Sequence, residues 1–240
     1  MIVSWKNNAG FPAFEGLLPR HREPLWVRPA YRRRALRLRR LLCWLCLAVS
    51  LTAVAIIAHS TALRINGAVV LARREIPGVP VLFCQSDAEW ADDLLGASNR
   101  TLGAAGDGVT CLAALMQTQQ LPAPFDGVVN PGTLNAWLSA NGAYDGRGNL
   151  DWSKAAKLLG VELTRRQPGW GVARTLEWLL QREIYPVVRV KRHDTGAFHD
   201  VLVVATVHGE FVIMDPLDPT GIANSLSLYD NRIYAVKYLK

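Results

Sequence analysis

The stretch TLGAAGDGVTCLAALM, Thr101 to Met116, decides how this chain is read. Leu112, Ala113, Leu115 and Met116 follow one another at helical spacing, which predicts a helix beginning near Asp107. Cys111 lies four residues after Asp107, so it projects from the same helix face about 6 Å further along the axis.

Three more helices are predicted downstream. The first has Asn130 as N-cap, Pro131 at the first helical position and Asn141-Gly142 as its stop. The next runs from Asp151 to Gly160, with Trp152, Ala155, Ala156 and Leu159 on one apolar stripe. The last spans Val172 to Arg182, with Leu176, Leu179 and Leu180 inward. After Pro186 the period changes. PVVRVK alternates, and Val201 to Val207 is a continuous run dominated by β-branched residues. His208-Gly209-Glu210 turns the chain, Phe211 to Met214 returns, and Ile233 to Leu239 makes a final strand. Helices first and an antiparallel sheet after them predict an α+β domain. It is placed at residues 81–240, and residues 64–80 read as a connector ending in PGVP.

Upstream, the chain is of another kind. Leu41 to Leu63 is a run of 23 residues without Asp, Glu, Lys or Arg. As a helix it spans about 35 Å, enough for a hydrocarbon core of roughly 30 Å. Ser50 and Thr52 can return their hydroxyls to the helix backbone. Residues 41–63 are therefore expected to cross a membrane. Residues 21–40 carry eight Arg and residues 64–83 carry three. That asymmetry puts the N-terminus in the cytoplasm and the C-terminal domain in the periplasm or outside the cell, on the inner (cytoplasmic) membrane. Forty residues before the span are long for a signal-peptide n-region, so the anchor is expected to stay uncleaved.

Charge narrows the function. The chain has 240 residues and a formal net charge of +7. Residues 1–40 hold ten basic side chains against Glu15 and Glu23, whereas the other 200 residues hold 17 basic and 18 acidic ones. The basicity belongs to a cytoplasmic tail: residues 1–31 read as mostly irregular, and the run from Arg32 to Arg40 is expected to lie against anionic headgroups. A nucleic-acid-binding domain is excluded on this count. No Cys/His spacing suggests a metal and no Gly-rich loop suggests a nucleotide, so no cofactor is expected.

Further motifs stand in order around the opening stretch. FCQSDAEWADDLLG, Phe83 to Gly96, precedes it; NPGTLNAWLSANGAYDGRGNLDW, Asn130 to Trp152, follows it; then come His199 leading a strand and Asp215-Pro216 ending the next. Together they resemble the bacteriocin-leader (double-glycine) peptidase-like branch of the papain-fold cysteine peptidases. The resemblance covers about Val81 to Pro216. It implies a papain-like arrangement of helices on an antiparallel sheet. It also implies that Gln85 is an oxyanion donor, His199 a base and Asp215 its orienter. Trp90 matches the Trp of the opening segment. The nucleophile position falls on Asp107, where the family has Cys.

That departure has a physical meaning. A Cys at a helix N-terminus beside a His is activated because the helix dipole favours thiolate. An Asp there is already anionic, is a favourable cap, and can pair with a protonated His199. A carboxylate lacks the nucleophilicity of a thiolate and would form a high-energy anhydride with an amide. Asp107 is therefore read as a cap. Cys111 is the possible substitute nucleophile; its other readings are a small buried residue and one half of a disulfide with Cys84. Cys43 and Cys46 lie in the apolar run and read as packing residues.

Three functions stay open: a degenerate peptidase-like domain that binds a peptide or an envelope protein, an active cysteine peptidase or cell-wall amidase using Cys111, and an assembly subunit of a membrane complex. The bilayer is a partner in all three.

Overall fold

The computed structural model describes residues 29–79, 81–169 and 171–240. The tail reading for residues 1–28 lies outside them. The chain divides into two compact units, residues 1–56 and 57–240.

The described part of the first unit is helix α1, Pro29–Asn66, whose last turns belong to the second unit. Its stretch Arg33–Asn66 is long and apolar enough to cross a membrane. Leu41, Leu45, Leu51 and Ile56 are exposed along it. Ser50 Oγ donates to the Cys46 carbonyl at 2.8 Å and Thr52 Oγ1 to that of Ala48 at 3.0 Å, so both hydroxyls are satisfied within the helix. The helix starts well before Leu41. The arginine-rich end of the tail, from Pro29 to Arg40, is thus helical, which corrects the irregular reading at residues 29–31.

In the second unit the elements after α1 are β1 (Ala68–Val69), α2 (Leu102–Ala105), α3 (Asp107–Thr118), α4 (Pro131–Ala140), α5 (Trp152–Leu159), β2 (Leu163–Arg166), α6 (Val172–Leu180), β3 (Val187–Lys191), β4 (Phe198–Val207), β5 (Glu210–Met214), β6 (Asn224–Ser225), a 3₁₀ turn (Leu226–Tyr229), β7 (Arg232–Ile233) and β8 (Ala235–Leu239). The fold is α+β, with helices on an antiparallel sheet.

Helix ends follow local chemistry. Asn130 and Thr133 close a reciprocal capping box on α4. Asp151 caps α5 through the N–H groups of Ser153 and Lys154, and Gly160 ends it at φ 70°. Helix α6 stops at Leu180, two residues before the predicted end.

The main sheet has the order β2-β8-β3-β4-β5-β6, every neighbouring pair antiparallel. β4 lies near its centre. Leu202 and Val204 face one core with α3, α4 and α5, while Val201 and Val203 face a second with α6. Both faces are covered, which is why Val201 to Ala205 within β4 reads as an unbroken apolar run. The turn between β4 and β5 holds His208 and Gly209 at positive φ, as a tight hairpin requires.

Three features depart from the sequence reading. β2 was not foreseen; it forms the sheet edge and pairs Leu163 with Leu239. The final strand breaks at Tyr234 into β7 and β8. The connector is part of the domain: β1 pairs with β7, Val70 and Ile76 are buried, and Ile76 bridges to Thr206. Gly78 passes so close to β4 that a Cβ there would meet the Val204 carbonyl oxygen at 2.1 Å. Burial alternates along Ala68 to Leu71, as in a strand with one face on the core, although the sequence AVVLA is apolar throughout and shows no alternation.

Candidate functional site

The site begins at the joint between α2 and α3. Thr101 caps α2 by accepting the Ala104 N–H at 3.3 Å. Gly106 then links the two helices. A Cβ at Gly106 would sit 2.5 Å from the Leu102 carbonyl oxygen and 2.6 Å from its Cγ, so only glycine permits this joint. Asp107 follows as the first residue of α3, and Gly106 is the N-cap. The cap role expected of Asp107 is replaced by a bridge. Its Oδ2 accepts the N–H of Asp200 at 2.8 Å and lies 3.2 Å from His199 Nδ1, tying α3 to β4.

His199 is the second residue of β4 and is 4% exposed. Its Nε2 lies 2.7 Å from Asp215 Oδ1. Asp215 follows β5 directly, on the strand paired with β4. The Asp215 carboxylate also accepts the Leu217 N–H at 2.9 Å and the Tyr229 hydroxyl at 2.5 Å. Burial works against a charged imidazole, but the hydrogen bonds and charges of Asp107 and Asp215 prevail and lift the His199 pKa to about 9. Burial raises both carboxylates; pairing with His199 outweighs it and holds each below its ordinary value. Burial and the hydrogen bond to Asp215 push the Tyr229 phenol up. The row Asp107–His199–Asp215–Tyr229 is thus an imidazolium between two carboxylates.

A second charged cluster adjoins it and was not singled out from the sequence. Asp200 is buried and takes Arg189 Nε at 3.0 Å on one oxygen and Lys237 Nζ on the other. Arg189 stands opposite Asp200 in the β3–β4 register. Lys237, on β8, is 6% exposed and holds its ammonium 4.6 Å from the Trp152 ring. Burial lowers the Lys237 pKa and Asp200 partly restores it. The available signal was a lysine inside the apolar run AVKYL, where an unpaired charge would be costly. Three carboxylates and three cations meet across the two clusters.

The other sequence candidates lie around this row. Gln85 is 2% exposed; its backbone N–H reaches the Pro216 carbonyl at 2.8 Å, beside Asp215. Its side-chain Nε2 donates to the Gly103 carbonyl at 2.8 Å, and Oε1 is buried without a partner among the described residues. Trp90 Nε1 donates to the Cys84 carbonyl at 2.9 Å and the indole packs edge-on to Phe83, which holds the two residues that precede Gln85. Cys111 is fully buried, with Sγ 3.3 Å from the Asp200 carbonyl oxygen. Burial, then the neighbouring carboxylates, raise its pKa well above the ordinary thiol value. The Cys84–Cys111 disulfide is not formed. Cys84 turns to Ser86 at 3.2 Å, whereas Cys111 points from α3 into the core beneath β4.

A cleft of about 290 Å³ opens beside Asp107. Gly106 and Gly108 form one wall, the Gly148–Leu150 loop another, and the remaining lining includes Arg100, Tyr144, Trp152, Arg189 and Phe198. Asp107 is 28% exposed at its edge, whereas His199 lies behind it.

Chemically, the row is saturated. Both imidazole nitrogens are engaged by carboxylates, and a pKa lifted to about 9 favours the protonated ring at neutral pH. The only anion it presents toward the cleft is a carboxylate.

No protein-family model matches the chain, and no curated protein sequence matches it. Among solved structures five chains are similar to it. One is a Bacillus anthracis protein provisionally assigned as a C39-like peptidase, 16% identical, with a TM-score of 0.40, covering 70% of this chain and 98% of that one.

Proposed function

We propose that the chain is a membrane-anchored, catalytically degenerate peptidase-like domain that binds an extended peptide or an envelope protein without cleaving it. In this reading α1 crosses the inner membrane with its N-terminus in the cytoplasm. The observation that carries the reading is the contact of Asp107 with His199: a carboxylate occupies the anion's place at the start of the helix, and the imidazolium is closed between it and Asp215. Cys111 does not relieve this loss. Its thiol is buried, held against a strand carbonyl, and kept protonated. The cleft beside Asp107 supplies glycine-lined backbone and aromatic side chains, which suit an extended chain.

The test uses the full-length protein in detergent and a fluorescein-labelled synthetic peptide containing a Gly-Gly pair. Saturable binding is expected, with the peptide mass unchanged after prolonged incubation and binding weakened by Trp152→Ala. Peptide turnover that Cys111→Ser abolishes would overturn the reading.

A further inference from the structure

The exit of the membrane helix forms a groove of its own. The last turns of α1 present His59 and Leu63, one helical turn apart, to a groove of about 770 Å³ whose other walls include Val69, Arg73, Val172 and Arg174. We propose that this groove binds an acidic phospholipid, with its phosphate between Arg73 and Arg174 and its acyl chain along Leu63, Val69 and Val172.

The exit has no slack. Arg232 Nη1 donates to the Asn66 carbonyl at 2.8 Å, on the last residue of the helix. Gly67 N–H reaches the Leu63 carbonyl at 2.9 Å, and Val70 N–H reaches that of Asn231 at 2.8 Å. The backbone N–H of Arg73 donates to Glu177, a buried residue of α6. Residues 66–73 are therefore built into the domain, and the Arg73 contact keeps β1 and its extension beside α6, where Arg174 stands.

Chain length fixes the depth. Arg73 is ten residues beyond Leu63, the last residue of the uncharged run, and the turn at Gly67 shortens that path. A bilayer's headgroup layers add about 5–8 Å on each side of the hydrocarbon. Val69 and Leu71 are 56% and 55% exposed, while Val70 between them is fully buried. The segment so turns alternate apolar side chains away from the core directly after a membrane-crossing helix, where lipid is at hand to cover them.

Charge selects the lipid. Arg64, Arg73, Arg74 and Arg174 are exposed, and among the described residues none has an ion-pair partner. The N-terminus of α6 has no side-chain cap and adds partial positive charge. Guanidinium forks match phosphate oxygens, and the groove's wall belongs to the helix that already stands in lipid, so its occupant enters from the bilayer.

The inference rests on the membrane-anchor part of the proposed function and not on peptide binding. The test is hydrogen exchange of the full-length protein in nanodiscs of phosphatidylcholine alone and with 30% phosphatidylglycerol. Amides at 68–74 and 171–174 are expected to exchange more slowly in the anionic discs, by about fivefold for each arginine engaged. Arg73→Gln with Arg174→Gln, both exposed side chains, should erase the difference, whereas Arg165→Gln with Arg166→Gln on β2 should not. Equal exchange in the two discs would overturn the inference, as would protection that survives loss of both arginines. Protection reproduced in phosphatidylcholine discs by soluble glycerol phosphate would mark a phosphate site and overturn the lipid assignment. Failure to enter discs at all would remove the anchor reading with it.

Discussion

Asp107 Oδ2 lies 3.2 Å from the His199 imidazole and accepts the N–H of Asp200 at 2.8 Å, so one oxygen fastens two consecutive residues of β4 to the first residue of α3. The bridge sets the distance between the central helix and the sheet at the open end of the cleft. It also supplies, without reactivity, the negative charge that a thiolate would supply beside an imidazolium.

Stability should depend on pH through His199. Its pKa rises from 6.5 to about 9 on folding. The folded state therefore binds the proton more tightly, and this stabilisation is fully present below pH 6.5 and lost as pH rises toward 9. Asp107 and Asp215 have lowered values, so their contribution is present above pH 3.8 and lost as pH falls through the folded values. Urea midpoints should be flat between pH 3.8 and 6.5, fall as pH rises through neutrality toward 9, and fall again in acid. An NMR titration placing His199 at or below 6.5 would remove the pairing.

Asp107→Asn tests the same contact from the other partner. The amide can still accept the Asp200 N–H, but one charge beside His199 is gone. The His199 pKa should fall, held up by Asp215 alone, and the protein should lose about 1–3 kcal/mol. Unchanged stability and an unchanged titration would show that Asp107 is spectator rather than partner.

Lys237→Met should be more damaging than its position near the C-terminus implies. It leaves one oxygen of buried Asp200 without its cation, and breaking a buried pair typically costs about 3–5 kcal/mol. Arg189 still holds the other oxygen, so the lower end applies. A loss under 1 kcal/mol in urea unfolding would show that water or Arg189 replaces the ammonium.

What could be read beforehand divides along physical lines. The ends of α4 and α5 were legible because Asn130, Pro131, Asp151 and Gly160 act within a few residues of themselves. β4 was legible because burial on both faces leaves an apolar run. β2 was not: it is four residues of half-exposed edge, LTRR, and becomes a strand only by pairing with β8. Segment 64–80 was opaque for the same reason, since Val70 and Ile76 are buried by partners more than a hundred residues away. Asp107, His199 and Asp215 could be named from their order along the chain, but their meeting depends on the β4–β5 pairing. Asp200, Arg189 and Lys237 went unnamed because a cross-strand charge cluster has no local pattern until the sheet register is known.

Topology is open to a direct test. With eight Arg before the span and three after it, tags placed after Met1 should be shielded in intact cells. Residues beyond Val81 should be cleaved by protease added outside the cytoplasmic membrane. The opposite pattern would reverse the orientation and place the cleft in the cytoplasm.

Asp107→Cys asks whether the remaining residues still define a working environment. The new thiol would stand at the first position of α3, with Gly106 unchanged behind it and His199 Nδ1 about where the carboxylate now meets it. The helix dipole and the imidazolium both favour thiolate, so its pKa should lie below the free value of about 8.5. Cys111, buried and raised, is the internal comparison. In iodoacetamide labelling followed by mass spectrometry, the variant should react far faster than Cys111 does in the parent protein, and its rate should stay high at pH 6. Losing the Asp107 bridge will lower stability, so folding is checked by circular dichroism and the labelling compared with His199→Ala in the same background. That second change removes the imidazolium and should return the thiol to the ordinary range. A thiol that titrates near 8.5 with His199 present would show that the imidazole no longer governs this position, and the degenerate-peptidase reading would lose its main support. Peptide turnover need not return for the prediction to hold, because activation of the thiol is a property of Asp107's surroundings, whereas turnover also requires an oxyanion donor. Gln85 has its amide nitrogen committed to the Gly103 carbonyl and would have to release it first.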